Sequence, residues 1–457
     1  MSQQLFSSQR VITPEGEGPA CVVVRAGKIV DILPFDAPRP PAEQHHDFGD
    51  RVLMPGLVDS HVHINEPGRT DWEGFDTATH AAAAGGITSL VDMPLNCIPV
   101  TISAAAFAAK QAVLAGKLWV DAGFWGGATA DNLAELPGLL AAGVLGVKSF
   151  TIDSGIDEFQ SVNQAQLTQA MRHLALRGLP HLVHAELDHS PAEAMTSSTS
   201  YKGFLSSRPA RWENDAVALV IRVMQQLVSE GLTPRAHIVH LSSAEALPMI
   251  RAARAEGLLL SCETCPHYLV LAAETIPDGQ AAYKCCPPIR EQSNQELLWQ
   301  GLSDGSIDCI VSDHSPCTPD LKNLDSGDIE NAWGGISGLQ FGLSLIWTAA
   351  RQRGMSLADL ATLMASRPAE LCGLRDKGAI AIGKQADFCV FGPEQTYTIS
   401  AEIIQHRHKV SPYLGHHLNG VVHSTWLAGE LIYSTEAGPN FPGPARGRVL
   451  LAERESR

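Results

Sequence analysis

The sequence predicts an α/β fold: a (β/α)8 TIM barrel carrying a small β-sandwich domain built from the two ends of the chain. Three observations lead there. Apolar strand-like runs alternate with helix-like segments eight times through the middle of the chain. Strand signals without helices occupy both ends. The polar residues suited to chemistry fall at the C-terminal ends of the middle strands, the rim where barrels of this kind carry their sites. An open doubly wound sheet would need a glycine-rich phosphate loop after its first strand, and none stands there.

Taken in order, the chain opens between Gln9 and about Pro34 with strand and turn. Ala20–Arg25 and Ile29–Leu33 flank an Ala26-Gly27-Lys28 turn and read as a hairpin, followed by a Pro-rich connection over 36–42. The strand-like runs of the middle are 57–63, 87–93, 119–124, 146–150, 181–186, 237–241, 258–263 and 308–313. Helix-like segments lie at 77–84, 104–115, 131–142, 163–177, 213–229, 243–255, 294–302 and 338–351. Beyond about Gly373 strands return, at Phe388–Phe391 and on either side of an Ala428-Gly429-Glu430 turn. Neither end is large enough for a core of its own, so residues 1–53 and 374–457 are expected to join in one sandwich around a 54–373 barrel. The Pro/Gly-rich tail from Pro439 is expected to lie over the surface.

Composition narrows the partners. The 457 residues are 45% hydrophobic and 18% charged, enough for a large core. A net charge of −16 with no Lys/Arg run argues against nucleic acid and anionic membranes as partners. The start, Met-Ser-Gln-Gln-Leu-Phe, lacks the apolar core of a signal peptide, and no 18-residue apolar run occurs, so a soluble cytoplasmic protein is expected. Most of the ten cysteines sit in apolar runs, as free thiols of a reducing compartment do. Cys262-x-x-Cys265 lacks the second half of a structural zinc site and is read as packing.

The stretch Val52–Arg69 organises the rest. Its strand ends in His61 and His63, and a side-chain period of two points both imidazoles to one side, half of a divalent metal site. The other strands supply the remainder at corresponding ends: Lys148 after Val144-Leu-Gly-Val, His184 in Leu182-Val-His, His240 in Ile238-Val-His, and Asp313 in Cys309-Ile-Val-Ser-Asp. Each alone reads as a satisfied core histidine or a snorkelling lysine; six at matching ends do not. A cationic Lys148 would be repelled by two metals, and burial also favours its neutral amine. That amine can take up CO2 as an anionic carbamate able to bridge two cations. Two divalent metal ions are therefore expected, with zinc the default and iron, cobalt or manganese suited to the same donors.

These residues resemble the ligand pattern of the amidohydrolase superfamily, in the binuclear branch of cyclic amidohydrolases with a carboxylated lysine. The longer motifs look like those of the allantoinase family within it. They are His61-Val-His-Ile-Asn-Glu-Pro-Gly-Arg, Asp92-Met-Pro-Leu-Asn, Cys262-Glu-Thr-Cys-Pro-His-Tyr, Pro287-Pro-Ile-Arg, Ser312-Asp-His-Ser-Pro-Cys, Trp333-Gly-Gly-Ile-Ser-Gly-Leu-Gln and His408-Lys-Val-Ser-Pro-Tyr. The resemblance implies opening of the hydantoin ring of allantoin to allantoate by a metal-activated hydroxide. Asp313 would act both as ligand and as proton carrier, and the assembly would be a homotetramer. Asn65 stands where dihydroorotases carry a carboxylate-binding arginine, and Ser149-Phe-Thr-Ile-Asp lacks the tyrosine of dihydropyrimidinases and hydantoinases. Both differences favour a neutral ring bearing a ureido arm. Ser149 and Ala185-Glu186-Leu187 depart from the family pattern. The resemblance also implies substrate contacts at Asn65, Cys286, Ser315 and Gly334, with His267 and His314 supporting the ligands.

Overall fold

A computed structural model describes residues 3–189, 192–436 and 440–452. The middle of the chain is a parallel β/α array. Strands Leu57–Val62, Ile87–Asp92 and Asp121–Phe124 pair in that order, and Gly126–Gly127, Val147–Phe150, Pro180–His184, Arg235–Ile238, Leu259–Thr264 and Cys309–Ile310 pair in another run. Only Trp125 separates the third strand from the start of the second run. At the other end, Val62 bridges His314 in parallel and the His63 N–H donates to the His314 carbonyl at 2.8 Å.

The first two strands are buried along their whole length, which is why they read as unbroken apolar runs instead of alternating ones. The helices between strands are set by amphipathic spacing and caps. Gln164–Ala175 starts in a reciprocal cap between Asn163 and Gln166 and turns Leu167, Ala170, Met171 and Leu174 inward. All eight helices read from the sequence are present, within a few residues at each end. A short helix, Tyr201–Ser207, was not legible, because only Tyr201 and Phe204 of it are buried and two residues make no periodic pattern.

Three strands end earlier than their apolar runs predict. The run 181–186 stops at His184, 237–241 at Ile238 and 308–313 at Ile310. The cause of the last two is local: His240 and Asp313 have φ of 37° and 43°, which turn the backbone out of the ladder. The Ser312 N–H leaves the ladder for the Asp59 carboxylate.

The two ends of the chain meet in one hydrogen-bonded sheet of eight strands. Val52–Pro55 joins the halves, pairing in parallel with Arg10–Val11 and antiparallel with Phe388–Phe391. The predicted hairpin is present, Gly16–Arg25 pairing antiparallel with Lys28–Pro34, and Gln3–Thr13 extends it to a three-stranded meander. Phe6, Phe388 and Trp426 pack together with ring centroids about 5 Å apart and close the core between the halves. Pro439 lies outside the described residues, but the segment after it does more than cover surface. Ala122 donates to Arg448 at 2.9 Å and Leu450 to Ala122 at 2.8 Å, so the tail adds its backbone beside the third core strand.

One ionic contact ties this sheet to the parallel array. The Lys377 ammonium lies 2.5 Å from Asp121 of the third core strand and 2.7 Å from Asp387, just before the Phe388 strand, and all three are buried. Removing the lysine leaves two carboxylates with no cation between them. Lys377→Met is expected to lower unfolding free energy by about 3–5 kcal/mol, the cost of breaking a buried pair. Urea titration checks this, and a loss under about 1 kcal/mol would show that the contact is not structural.

Candidate metal centre

The six residues read as ligands come together at the C-terminal ends of the parallel strands. Ligand atoms of His61, His63 and Asp313 lie within 4.8 Å of one another. The Lys148 amine is 3.1 Å from His61 Nε2, which is 3.2 Å from the Asp313 carboxylate. The His240 ring centroid is 5.3 Å from that of His61 and 4.6 Å from that of His184. His63, Lys148, His184, His240 and Asp313 line one cavity of about 460 Å3, and the buried His61 touches Lys148 and Asp313.

Buried carboxylates and carbonyls aim the rings. His61 donates through Nδ1 to Glu263 at 2.5 Å, which leaves Nε2 toward Lys148 and Asp313. His184 is held through Nε2 by Glu186 at 2.7 Å, and Arg208 donates to the same carboxylate oxygen at 2.6 Å. His63 Nδ1 meets the Leu95 carbonyl at 3.3 Å. In each case one nitrogen is engaged and the other is left for a ligand, the arrangement that orients metal-binding imidazoles. His240 is the exception: its Nδ1 is buried without a partner among the described residues. Glu263 also accepts from His237 Nε2 at 3.0 Å, so one carboxylate fixes two rings.

The electrostatics favour neutral donors. Burial, followed by the charge of Lys148, holds His61 and His63 well below the ordinary histidine range, and burial lowers His184 and His240 as well. Burial also lowers the Lys148 amine and raises the Asp313 carboxyl. Burial shifts every one of these groups toward its uncharged form, and neutral imidazoles and amines are the forms that ligate metal or take up CO2. Four neutral imidazoles, an amine and an acid, held buried around one point with a ring nitrogen unpartnered, fit a pair of divalent cations.

The expected substrate contacts divide. Cys286, Ser315 and Gly334 line the cavity. Asn65 sits one layer back, fully buried, with its amide on the Pro316 carbonyl at 3.1 Å and its oxygen facing the Asn96 amide at 3.4 Å. Asn96 is the residue that reaches the wall. The two loops carrying Ser315 and Gly334 touch so closely that a side chain at Gly335 would place Cβ 2.3 Å from the Ser315 carbonyl oxygen. His314 is held by Glu73 at 3.2 Å and accepts from the Gly338 N–H. His267 is buried and neither of its ring nitrogens has a partner among the described residues. All ten cysteines are free; Cys262 and Cys265 are buried, and Cys265 lies with His267 and Asp313 in a group whose ligand atoms are within 4.8 Å of one another.

Sequence reasoning missed Glu263 and the ring-holding role of Glu186. A signal existed for both: a carboxylate inside or just past a buried strand, at a position where solvation is lost, needs a partner.

Imidazoles, a buried amine and a carboxylate converging on parallel strand ends beside a cavity define the metal-assisted hydrolase class. The chain belongs to the amidohydrolase family, whose model matches residues 52–432. It is 52% identical over 450 residues to an allantoinase of Streptomyces avermitilis, with 98% of each chain covered. It is 42% identical to an allantoinase of Saccharomyces cerevisiae, over 95% of this chain and 96% of that one. Among solved structures it is similar to an L-hydantoinase (dihydropyrimidinase) from Arthrobacter aurescens, with a TM-score of 0.90 and 26% identity over 99% of this chain and 100% of that one.

If Glu263 sets the His61 ring, Glu263→Gln is expected to weaken divalent-cation affinity by about 10–100-fold, as loss of a ring-holding carboxylate does. Titration of metal-stripped protein with zinc measures it, and unchanged affinity would remove Glu263 from the site's support.

Proposed function

We propose that this chain hydrolyses allantoin to allantoate, opening the hydantoin ring at its cyclic amide. One observation carries the reading. Among the described residues, the cavity beside the candidate metal centre offers donors for hydrolysis but no uncommitted cation to hold a substrate carboxylate. Arg208 is committed to Glu186, and Lys284 donates to the carbonyls of Glu330 and Ala332 at 2.8 and 2.7 Å. A neutral ring suits this wall, and the full-length likeness to allantoinases agrees. The chain is a hydrolase acting on a cyclic amide C–N bond.

The six residues His61, His63, Lys148, His184, His240 and Asp313 would hold two divalent cations, with a CO2-derived carbamate on Lys148 as the bridge and zinc the default metal. Bound there, the pair supplies polarisation of the ring carbonyl and a water acidic enough to attack at neutral pH. The residues do the rest. Burial shifts the Lys148 amine toward its neutral form, the one that carboxylation requires. Asp313, at the cavity wall, takes the proton of the attacking water and returns it to the departing ring nitrogen. Glu263 and Glu186 keep His61 and His184 from turning. Cys286, Ser315 and Gly334 meet the ring, and Asn65 acts through Asn96.

The same reading takes the parallel array as a closed (β/α)8 barrel spanning 54–373, with a β-sandwich from 1–53 and 374–457. Support comes from the Val62–His314 bridge and the likeness to hydantoinases. A homotetramer in the cytoplasm completes the proposal; no helix among the described residues is long and apolar enough to cross a membrane. A broader hydantoinase activity is the second reading, favoured by the structural neighbours. Phe150 and Ile152 line the cavity after the lysine strand, so no tyrosine hydroxyl enters there from either position.

Turnover of allantoin, dihydrouracil and dihydroorotate by the purified protein decides between these readings, with allantoin expected to exceed the others. Dihydrouracil as the best substrate would favour the second reading. Elemental analysis is expected to find about two divalent ions per chain, the number this class of site holds. Asp313→Asn is expected to cut kcat by about 100-fold or more, the scale of a lost general acid–base. Near-normal turnover would contradict the role.

A further inference from the structure

Lys322 lies outside the metal centre and is only 4% exposed. Its ammonium donates to three backbone carbonyls, Lys284 at 2.9 Å, Trp333 at 2.9 Å and Gly335 at 2.5 Å. That uses all three of its protons. The three carbonyls come from two separate loops, and Lys284, Trp333 and Gly335 all line the cavity. The Gly335 N–H donates to the Lys284 carbonyl at 2.9 Å, which ties the loops to each other as well.

In a trans peptide the carbonyl and the next N–H point in opposite directions. Holding the Lys284 and Trp333 carbonyls toward the lysine therefore turns the Cys285 and Gly334 N–H groups away from it. Both residues line the cavity, and among the described residues neither N–H has a protein acceptor. Unpartnered backbone donors at a cavity wall are groups a ligand oxygen can satisfy. We propose that Lys322 is a positioning residue: its buried ammonium, clamped on the Lys284, Trp333 and Gly335 carbonyls, presents the Cys285 and Gly334 N–H groups to the carbonyl of the substrate ring that is not hydrolysed. The inference rests on the cyclic-amide reading of the cavity. It adds the side chain that prepares the wall for a ring N–H flanked by two carbonyls.

The test compares two neutral five-membered rings by calorimetry on the metal-loaded protein. Succinimide has a second carbonyl beside its N–H and 2-pyrrolidinone has one only. Wild type is expected to bind succinimide about tenfold more tightly, the scale of one or two hydrogen bonds. In Lys322→Met the ratio is expected to fall toward one. KM for the ring substrate should then rise about tenfold, with kcat and metal content held within about threefold. Lys322→Arg is the second variant, for the case in which the methionine variant does not fold. It keeps the charge, but its planar fork cannot direct donors at three converging carbonyls, and it is expected to lose most of the discrimination. A wild-type ratio of one, or a folded variant that keeps both ratio and KM, overturns the proposal. Failure of the allantoin reading would instead show as no wild-type turnover of allantoin, and the binding comparison stands without it.

Discussion

The Glu263 carboxylate is the contact on which the rest of the site depends. It is buried inside the strand Leu259–Thr264, where an isolated charge would be expelled, and it is stabilised by hydrogen bonds from His61 Nδ1 and His237 Nε2. Those bonds set the direction of His61 Nε2, and through it the approach of Lys148 and Asp313. A ring free to turn through its own plane would offer two orientations of nitrogen; a pinned ring offers one. Glu186 does the same for His184, with the Arg208 guanidinium on the same carboxylate.

The cost of this arrangement appears in the backbone. Asn65, His240 and Asp313 sit at positive φ without being glycine, at 67°, 37° and 43°. Two of them are proposed ligands and the third supports the wall. Such conformations persist only where surrounding structure over-determines them. Here that structure is the parallel array, bridged between Val62 and His314, and the sheet of both chain ends locked to it through Lys377, Asp121 and Asp387. Stability held in that frame permits strain at the strand ends.

A division of labour among lysines follows from burial. Lys148 has no carbonyl cage and is drawn toward its neutral amine, the form that chemistry at a cation centre uses. Lys377 sits between two carboxylates, which outweigh its burial and raise it. Lys322 donates to three carbonyls and ties together two loops of the cavity wall. The residue type is the same in each case, and its partners decide whether it reacts, staples or orients.

Much of this was legible in the chain itself. Fully buried parallel strands write themselves as apolar runs, and eight such runs alternating with amphipathic helices fixed the α/β class and placed His61, His63, Lys148, His184, His240 and Asp313 at corresponding ends. Periodicity is a local property, so the sequence could carry it. The pairing of Glu263 with two histidines, the retreat of Asn65 behind Asn96 and the three-carbonyl grip of Lys322 were not legible. Each joins groups far apart in the chain, and only the packed structure decides which buried polar atom reaches which partner. The tail after Pro439 makes the same point: its composition suggests surface, while the free backbone edge at Ala122 makes it part of the framework.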